Sequence, residues 1–236
     1  MQLQQIERNG KSLRVLKNGS NKVIIFSHGF GVKWDSRGLF TEIADSLPGY
    51  DFIFFDYAKV DKKGNTTLEN LDDQFVSFEN ALQTAINLKY SEINIISHSF
   101  GIVIPAKLNS SFINKFVMVA PAKYIDKEKQ LESLRKKEGA VIDLNGYSSF
   151  ARSDGTNTFV NHTFYDSIEG LNIFDYLKIL KAKEQYLIIA KQDEIITDNY
   201  SKNELPDNII LIEVDGDHNF KGEDRAGLIE KLKEIF

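Results

Sequence analysis

The chain has 236 residues, of which 42% are hydrophobic, and its formal net charge is −5. This length and apolar content favour one sizeable core, and the slight acidic excess gives no reason to expect nucleic acid or an anionic membrane surface as a partner. Because the chain has no cysteine, disulfides, a cysteine nucleophile and thiolate metal ligands are excluded.

Targeting signals are not evident in the sequence. No stretch reaches the roughly 20 apolar residues that are needed to span a bilayer. Residues 1–8, MQLQQIER, lack the basic and apolar regions of a secretory signal peptide. Together with the lack of cysteine, these features lead us to expect a cytoplasmic protein with no membrane partner.

Strands and helices alternate along most of the chain. Asn9-Gly10 predicts the turn of an opening hairpin over residues 6–15. The later predicted strands are residues 22–26, 52–55, 93–96, 116–120, 186–190 and 209–214. The predicted helices are residues 36–47, 71–86, 102–108, 127–137 and 227–236. Thr66 and Glu69, which precede the second of these helices, have the spacing of a capping box. A polar loop is predicted at residues 59–65. This order indicates an α/β fold with a mostly parallel central sheet and helices on both faces.

A glycine-containing loop follows the predicted strand at 22–26. Its sequence is SHGFG, residues 27–31. Glycines on both sides of Phe30 would let the backbone approach a substrate oxygen closely.

The sequence SHSFG, residues 97–101, lies between the strand at 93–96 and the helix at 102–108. This strand–turn–helix context is typical of a nucleophile elbow, in which a sharp turn projects a central serine, here Ser99, away from the backbone. The next amide, that of Phe100, then lies near the helix start, where the helix dipole favours negative charge. Ser97 takes the place of the first glycine in the usual G-x-S-x-G pattern of such an elbow, and serine is small enough to lie against the neighbouring strand.

Two later strands also end in polar loops. The loop KQDEII, residues 191–196, follows one strand and contains Asp193. The loop DGDHNF, residues 215–220, follows the next strand and contains His218.

These four strand-end loops resemble those of the α/β-hydrolase family, and the resemblance extends from about residue 22 to the C-terminus. It implies a serine hydrolase of the esterase or lipase type, in which Ser99 is the nucleophile, His218 the base and Asp193 the acid, in the family's order along the chain. It also implies that the backbone amides of Phe30 and Phe100 form the oxyanion hole. This chemistry requires no metal or organic cofactor.

Residues 122–170 depart from simple alternation. Asp154-Gly155 predicts a hairpin turn between strands at 147–153 and 156–162. The resemblance implies a small cap or insertion here, after the sixth strand. Five aromatic residues of this segment could line a substrate pocket, although packing within the insertion is the interpretation that we favour: Tyr147, Phe150, Phe159, Phe164 and Tyr165.

Other acids compete with Asp193 for the role beside the histidine. Asp217 adjoins His218, and neighbouring side chains in an extended loop tend to diverge. Asp198 lies farther into the next segment, and Asp215 is expected to face solvent or to act on His218 only through its charge. We therefore favour Asp193.

The chain contains three further histidines. His28 lies in the loop at residues 27–31, which we call the oxyanion loop, and His98 lies in the elbow. Hydrogen bonds to nearby backbone are the expected role of both, and a surface or packing role is expected for His162. A metal bound by His28, His98 and His218 is an alternative, but the resemblance assigns His218 to catalysis.

We expect one domain spanning residues 1–236, with the insertion at about 122–170. The expected activity is hydrolysis of carboxylic esters of small or medium acyl chains, with a small-molecule ester as the partner. Trp34 and Phe220 are candidates for substrate contact, and packing is an equal alternative for Trp34.

Two other classes of function stay open. The first is a ligand-binding protein of the same fold without catalysis, against which the intact serine, aspartate and histidine argue. The second is cleavage of a thioester, peptide or carbon–carbon bond by the same residues.

Overall fold

The computed structural model describes residues 2–152 and 154–236; Met1 and Ser153, the last residue of a predicted hairpin strand, lie outside the described residues. The strands are β1 (Gln2–Arg8), β2 (Lys11–Lys17), β3 (Lys22–Ser27), β4 (Asp51–Phe55), β5 (Lys59–Val60), β6 (Thr66–Leu68), β7 (Glu92–His98), β8 (Ile113–Val119), β9 (Tyr147–Ala151), β10 (Asn157–Asn161), β11 (Glu184–Ala190) and β12 (Ile209–Val214). The α-helices are α1 (Leu39–Ser46), α2 (Leu71–Asn87), α3 (Val103–Leu108), α4 (Lys127–Arg135), α5 (His162–Ser167), α6 (Ile173–Lys178) and α7 (Asp224–Ile235). Short 3-10 helices lie at Ser99–Ile102 and Lys202–Glu204.

Eight strands form a mixed central sheet in the order β1-β2-β4-β3-β7-β8-β11-β12. The predicted opening hairpin is confirmed, since β1 pairs antiparallel with β2, and β2 in turn pairs antiparallel with β4. The strands from β4 to β12 in this order pair in parallel. Their carboxyl ends therefore meet along one edge of the sheet, where loops that follow different strands can come together.

Helices cover both faces of this sheet, as predicted. In β3, Val23 and Ile25 belong to one buried apolar cluster, whereas Ile24 and Phe26 belong to the other. Helices α2 to α6 contribute to the first cluster, and α1 and α7 contribute to the second. Burial on both faces explains why the central strands are nearly continuous apolar runs rather than alternating ones.

A second, four-stranded sheet in the order β5-β6-β10-β9 joins the insertion to an earlier part of the chain. The prediction of a polar loop at 59–65 is wrong at its start, because β5 occupies Lys59–Val60. Strand β6 then pairs in parallel with β10, and the hydroxyl oxygens of the buried Thr66 and Thr158 lie 2.9 Å apart. The hairpin predicted around Asp154-Gly155 is present as β9 and β10.

Several helix ends differ from those predicted by one to three residues; α7, for example, begins at Asp224 rather than at Gly227. Helix α2 begins at Leu71 and is capped by Asn70, whose side chain accepts a hydrogen bond from the Asp73 amide (2.9 Å). The predicted capping box is therefore wrong, since Thr66 is a residue of β6. Within the described residues, no helix has the length and apolar character that a membrane crossing requires.

Candidate active site

Ser99 lies at the tight turn between β7 and the 3-10 helix Ser99–Ile102. Its φ is +55°, in the left-handed region that side-chain-bearing residues rarely adopt. A strained serine between a strand and a helix is the geometry of a nucleophile elbow.

The elbow packs directly on the end of β3. The Ser27 hydroxyl donates a hydrogen bond to the Gly101 carbonyl (2.6 Å), and the Tyr57 hydroxyl lies 2.7 Å from the same Ser27 oxygen. A Cβ atom at Gly101 would lie 2.6 Å from the His28 carbonyl oxygen and closer still to that of Ser27. Glycine is therefore required at position 101 by the close approach of two backbones.

The structure brings the three predicted catalytic residues into a hydrogen-bonded row. His218 Nε2 lies 2.9 Å from Ser99 Oγ, and His218 Nδ1 lies 2.8 Å from Asp193 Oδ2. The three side chains come from the loops after β7, β11 and β12, which end at the same edge of the sheet.

Asp193 is held on both of its carboxylate oxygens. Oδ1 accepts hydrogen bonds from the amides of Ile195 (2.8 Å) and Ile196 (2.6 Å), so that Oδ2 is turned toward His218. Burial alone would raise the pKa of Asp193, but the hydrogen bonds from His218 and from the two amides outweigh it, and the pKa lies below its ordinary value. Asp193 is therefore a carboxylate at neutral pH and can accept from the imidazole.

The three rival acids are engaged elsewhere. Each pairs with a lysine: Asp198 with Lys123 (3.1 Å), Asp215 with Lys191 (3.2 Å) and Asp217 with Lys221 (3.3 Å). The geometry thus favours Asp193 as the partner of His218.

The backbone of the two residues predicted to form the oxyanion hole lies beside Ser99. Phe100 follows Ser99 directly, and a Cβ atom at Gly29, the residue before Phe30, would lie 3.1 Å from Ser99 Cβ. The side chain of His28 fixes the peptide between Gly29 and Phe30. Its Nε2 accepts from the Tyr57 amide (3.0 Å), so Nδ1 carries the proton and donates to the Gly29 carbonyl (2.9 Å). Because a trans peptide is planar, the Phe30 N–H points away from that carbonyl.

The side chain of His98 has structural contacts. His98 Nε2 lies 2.9 Å from the His218 carbonyl oxygen and therefore carries a proton, and its Nδ1 lies 3.4 Å from the Ser36 hydroxyl. Burial, with a smaller effect of His218, lowers the pKa of His98 to about 3. His162 begins α5 in the insertion. In the described residues, no three histidine, aspartate or glutamate side chains are grouped as they would be around a metal ion.

Four phenylalanines form what we call the aromatic wall: Phe30, Phe100, Phe150 and Phe164. The Phe30 ring lies 5.2 Å from that of Phe164, 6.2 Å from that of Phe100 and 6.4 Å from that of Phe150, measured between centroids. The wall therefore joins both residues predicted for the oxyanion hole to the insertion. Phe150 and Phe164 also belong to the first of the two buried apolar clusters, so these two rings pack in the core and also lie near the site.

The other aromatic residues of the insertion behave differently. Tyr165 is completely buried, Phe159 is half-buried and Tyr147 is exposed. Packing, the interpretation favoured from the sequence, accounts for Tyr165.

Phe220 lacks the exposed surface that a substrate contact needs, whereas Trp34 is half-buried. Phe220 has no exposed surface and packs in the cluster beneath α1 and α7, so the prediction that it contacts substrate is corrected: it is a core residue. Trp34 packs edge-on against Phe54, 5.3 Å away, beneath the Arg14 guanidinium at 4.9 Å. These contacts agree with the packing alternative for Trp34.

A cavity of about 390 Å³ beside the oxyanion loop was not expected from the sequence. We call it the basic pocket; its lining residues are Lys33, Asp35, Arg37, Arg152 and Asp154. Arg152 Nη1 would lie 3.7 Å from a Cβ atom at Gly31. No local pattern could have revealed the pocket, because its two halves come from distant segments that meet only when the insertion packs on the oxyanion loop.

Comparison with solved structures finds the same architecture over the whole chain. Est1E from Butyrivibrio proteoclasticus, with ferulic acid bound, has a TM-score of 0.74 at 17% identity, covering 98% of this chain and 97% of that one. An esterase from Pyrococcus furiosus has a TM-score of 0.69 at 16% identity, covering 99% and 90%. An alpha-beta serine hydrolase homologue from Coxiella burnetii has a TM-score of 0.64 at 16% identity, covering 100% and 97%.

No protein-family model matches the sequence, and no curated protein matches it. The likeness is therefore one of structure, and it agrees with the sheet order, the elbow and the loops that carry Ser99, Asp193 and His218. On this basis the chain is a protein of the α/β-hydrolase fold, as its resemblance to that family predicted.

Proposed function

We propose that this protein is a serine esterase that cleaves carboxylic esters through an acyl-enzyme on Ser99. The observation that carries the proposal is the unbroken row of hydrogen bonds from Asp193 through His218 (2.8 Å) to Ser99 (2.9 Å). A hydroxyl is a weak nucleophile, and this row supplies the base that a serine needs in order to attack a carbonyl carbon.

The first half of the reaction forms the acyl-enzyme. His218 Nε2 takes the proton of Ser99 Oγ as the oxygen attacks, and it then returns the proton to the departing alcohol. Asp193 keeps the Nδ1 proton in place and stabilises the imidazolium that forms. The amides of Phe30 and Phe100 would donate to the negative oxygen of the tetrahedral intermediate, and loss of one such donor typically costs about 10²–10³ in turnover.

Water completes the cycle. With the alcohol gone, a water molecule takes its place beside His218, which removes a proton from the water as it attacks the acyl carbon. Collapse of the second tetrahedral intermediate returns the proton to Ser99 Oγ and releases the acid.

The surroundings of Ser99 support esters of small or medium acyl chains. The half-buried ring of Phe30, which packs on the buried rings of Phe100 and Phe164, lies next to the elbow and favours a compact apolar or aromatic group. Two neighbours of similar fold support this proposal, since one is an esterase and another binds the aromatic acid ferulic acid.

The Ser99→Ala variant tests the nucleophile. We expect it to lose essentially all hydrolysis of p-nitrophenyl butyrate while it keeps the unfolding midpoint of the wild type within a few degrees. Ser97→Ala is the matched control. Its hydroxyl is buried and finds no hydrogen-bond partner in the described parts of the chain, so its removal should leave kcat/KM within about threefold. Activity of Ser99→Ala near that of Ser97→Ala would refute the assignment.

A fluorophosphonate probe and a substrate panel separate the classes of function. We expect the probe to label Ser99, as found by peptide mapping, because the probe reacts with an activated serine. Wild-type protein that is not labelled and cleaves no ester would instead indicate a ligand-binding protein. A panel of oxygen esters, thioesters and peptides of matched acyl length should give the highest kcat/KM for oxygen esters.

A further inference from the structure

The basic pocket adjoins the reaction centre through the oxyanion loop. Gly29 lies against Ser99, with 3.1 Å between its Cβ position and Ser99 Cβ, and Gly31 lies against Arg152, at 3.7 Å from Nη1. Two residues of chain span at most about 7 Å. A substrate bound at Ser99 could therefore extend along this loop to the Arg152 guanidinium.

The two arginines of the pocket form no ion pair in the described residues. Within residues 2–152 and 154–236, neither Arg37 nor Arg152 has a carboxylate within 4.0 Å, the limit for an ion pair. Arg152 Nη1 donates to the Thr158 hydroxyl at 3.3 Å, and its buried Nε finds no acceptor in the same residues. A buried guanidinium N–H without an acceptor is costly unless a ligand supplies one.

The two carboxylates of the pocket offset its charge only in part. Asp154 is held in the β9–β10 turn, where it accepts from the Thr156 amide (3.0 Å) and hydroxyl (2.6 Å), and its contact with Lys33 is long (3.7 Å). Asp35 is the remaining carboxylate. The pocket thus holds three cations and two anions.

A fourth cation lies at the edge of this group. Lys137, just beyond α4, places its ammonium 3.8 Å from the centroid of the Phe150 ring in the aromatic wall. Burial, followed by the charges of Arg152 and Arg37, lowers the pKa of Lys137. Burial, followed by Arg37, likewise lowers the pKa of Arg152, against the opposing effect of Asp154 and Asp35. These cations are close enough to repel one another, and an anion placed among them would relieve that repulsion.

We propose that the basic pocket binds an anionic oxygen group of the ester substrate, a carboxylate or a phosphate, with Arg152 and Arg37 as the recognising side chains. A guanidinium can donate two parallel N–H groups to either anion, and such charge-assisted bonds are the stronger ones. This inference rests on the proposed esterase function and adds the substrate class: esters that carry a negative charge at a distance from the bond that is cleaved.

Matched pairs of esters test the proposal. Monoethyl adipate and ethyl hexanoate differ in a terminal carboxylate on the acyl side, and 2-(butanoyloxy)ethyl phosphate and 2-hydroxyethyl butanoate differ in a phosphate on the alcohol side. We expect wild-type kcat/KM to be at least about tenfold higher for the charged member of one pair, and the pair that shows the preference identifies the anion.

Arg152→Gln should lower kcat/KM for that charged ester by about 10–100-fold, mainly through KM, and should change the value for its neutral partner by less than about threefold. Arg37→Gln, at an exposed side chain, tests the same prediction if Arg152→Gln is unstable. The control is Lys181→Gln: Lys181 is exposed and precedes β11, at the opposite edge of the sheet from Ser99, and both esters should be unaffected.

The outcomes distinguish this inference from the proposed function. If the neutral esters are cleaved with labelling at Ser99, but no charged ester is preferred or both arginine variants affect charged and neutral esters equally, the inference is wrong and the esterase function stands. If Ser99 is not labelled and no ester of either pair is cleaved, the proposed function itself is wrong.

Discussion

At the scale of single residues, two buried histidines hold the site in place without taking part in the proton transfers that we propose. His28 fixes the Gly29–Phe30 peptide, and His98 holds the carbonyl of His218. Both are buried, and burial lowers the pKa of each. Each therefore stays a neutral imidazole in the folded protein at pH values where an unfolded histidine takes up a proton, which predicts a link between pH and stability.

Stability should fall as the pH drops below about 6.5, the ordinary pKa of histidine in an unfolded chain. The folded pKa of His98 is lowered to about 3, so between these values the unfolded state binds a proton that the folded state does not. His98 alone should then cost about 2 kcal/mol of unfolding free energy at pH 5 relative to pH 7.5. Urea unfolding at the two pH values measures this difference.

The variant His98→Gln serves as the test of that assignment. Glutamine cannot take up a proton, so the difference in unfolding free energy between pH 7.5 and pH 5 should shrink by about 2 kcal/mol. An unchanged difference would show that His98 does not cause the pH dependence.

At the scale of elements, the site depends on how closely the elbow approaches β3. Ser27, the last residue of β3, donates to the Gly101 carbonyl (2.6 Å), while the next residues of the chain form the oxyanion loop. Ser99, the proposed nucleophile, and the loop proposed to form the oxyanion hole are thus positioned by one contact between neighbouring parallel strands, β3 and β7. This contact leaves no room for a side chain at Gly101.

We predict that Gly101→Ala destabilises the protein by about 3 kcal/mol or more and lowers the proposed esterase activity of the remaining folded molecules. The methyl group would meet backbone oxygens of Ser27 and His28, which cannot move without shifting β3 and the oxyanion loop. Gly49→Ala is the control, since a Cβ atom there meets nothing within 4 Å; it should change stability by less than about 1 kcal/mol. Equal stabilities of the two variants would contradict the proposed contact.

At the scale of the whole molecule, the insertion shares its core with the main sheet. Phe164, Tyr165 and Ile168 belong to the same buried cluster as Val23 and Ile25 of β3. The pairing of β6 with β10 adds a second attachment. We therefore expect the insertion and the main sheet to unfold together.

Urea unfolding of Phe164→Ala tests this expectation. Truncation of a fully buried phenylalanine should cost about 3–5 kcal/mol. If the molecule is one cooperative unit, the fluorescence of Trp34, which lies outside the insertion, should shift to the same lower midpoint as the far-ultraviolet circular dichroism. Phe112→Ala, at an exposed ring, should shift neither midpoint appreciably. A Trp34 midpoint that stays at the wild-type value would show that the insertion unfolds separately.

Prediction from the sequence worked best where the signal is local. Three features each depend on a few adjacent residues: the elbow around Ser99, the opening hairpin, and the strands that precede Asp193 and His218. The periodicity of apolar residues, the turn residues and the elbow motif are therefore enough to predict them. It failed at Thr66, which has the spacing of a capping box but lies in β6. There, pairing with β10 outweighs the local preference for a helix cap.

The sequence by itself determined the α/β class, the elbow and the polar loops of Asp193 and His218, because apolar periodicity and turn residues act over short stretches of chain. Only the tertiary structure decided which acid meets the imidazole, that Phe220 is a core residue, and that Arg37 and Arg152 share one pocket. Those outcomes depend on contacts between segments that are far apart in the chain, and their free energies are set by burial and pairing in the folded molecule rather than by neighbours in sequence.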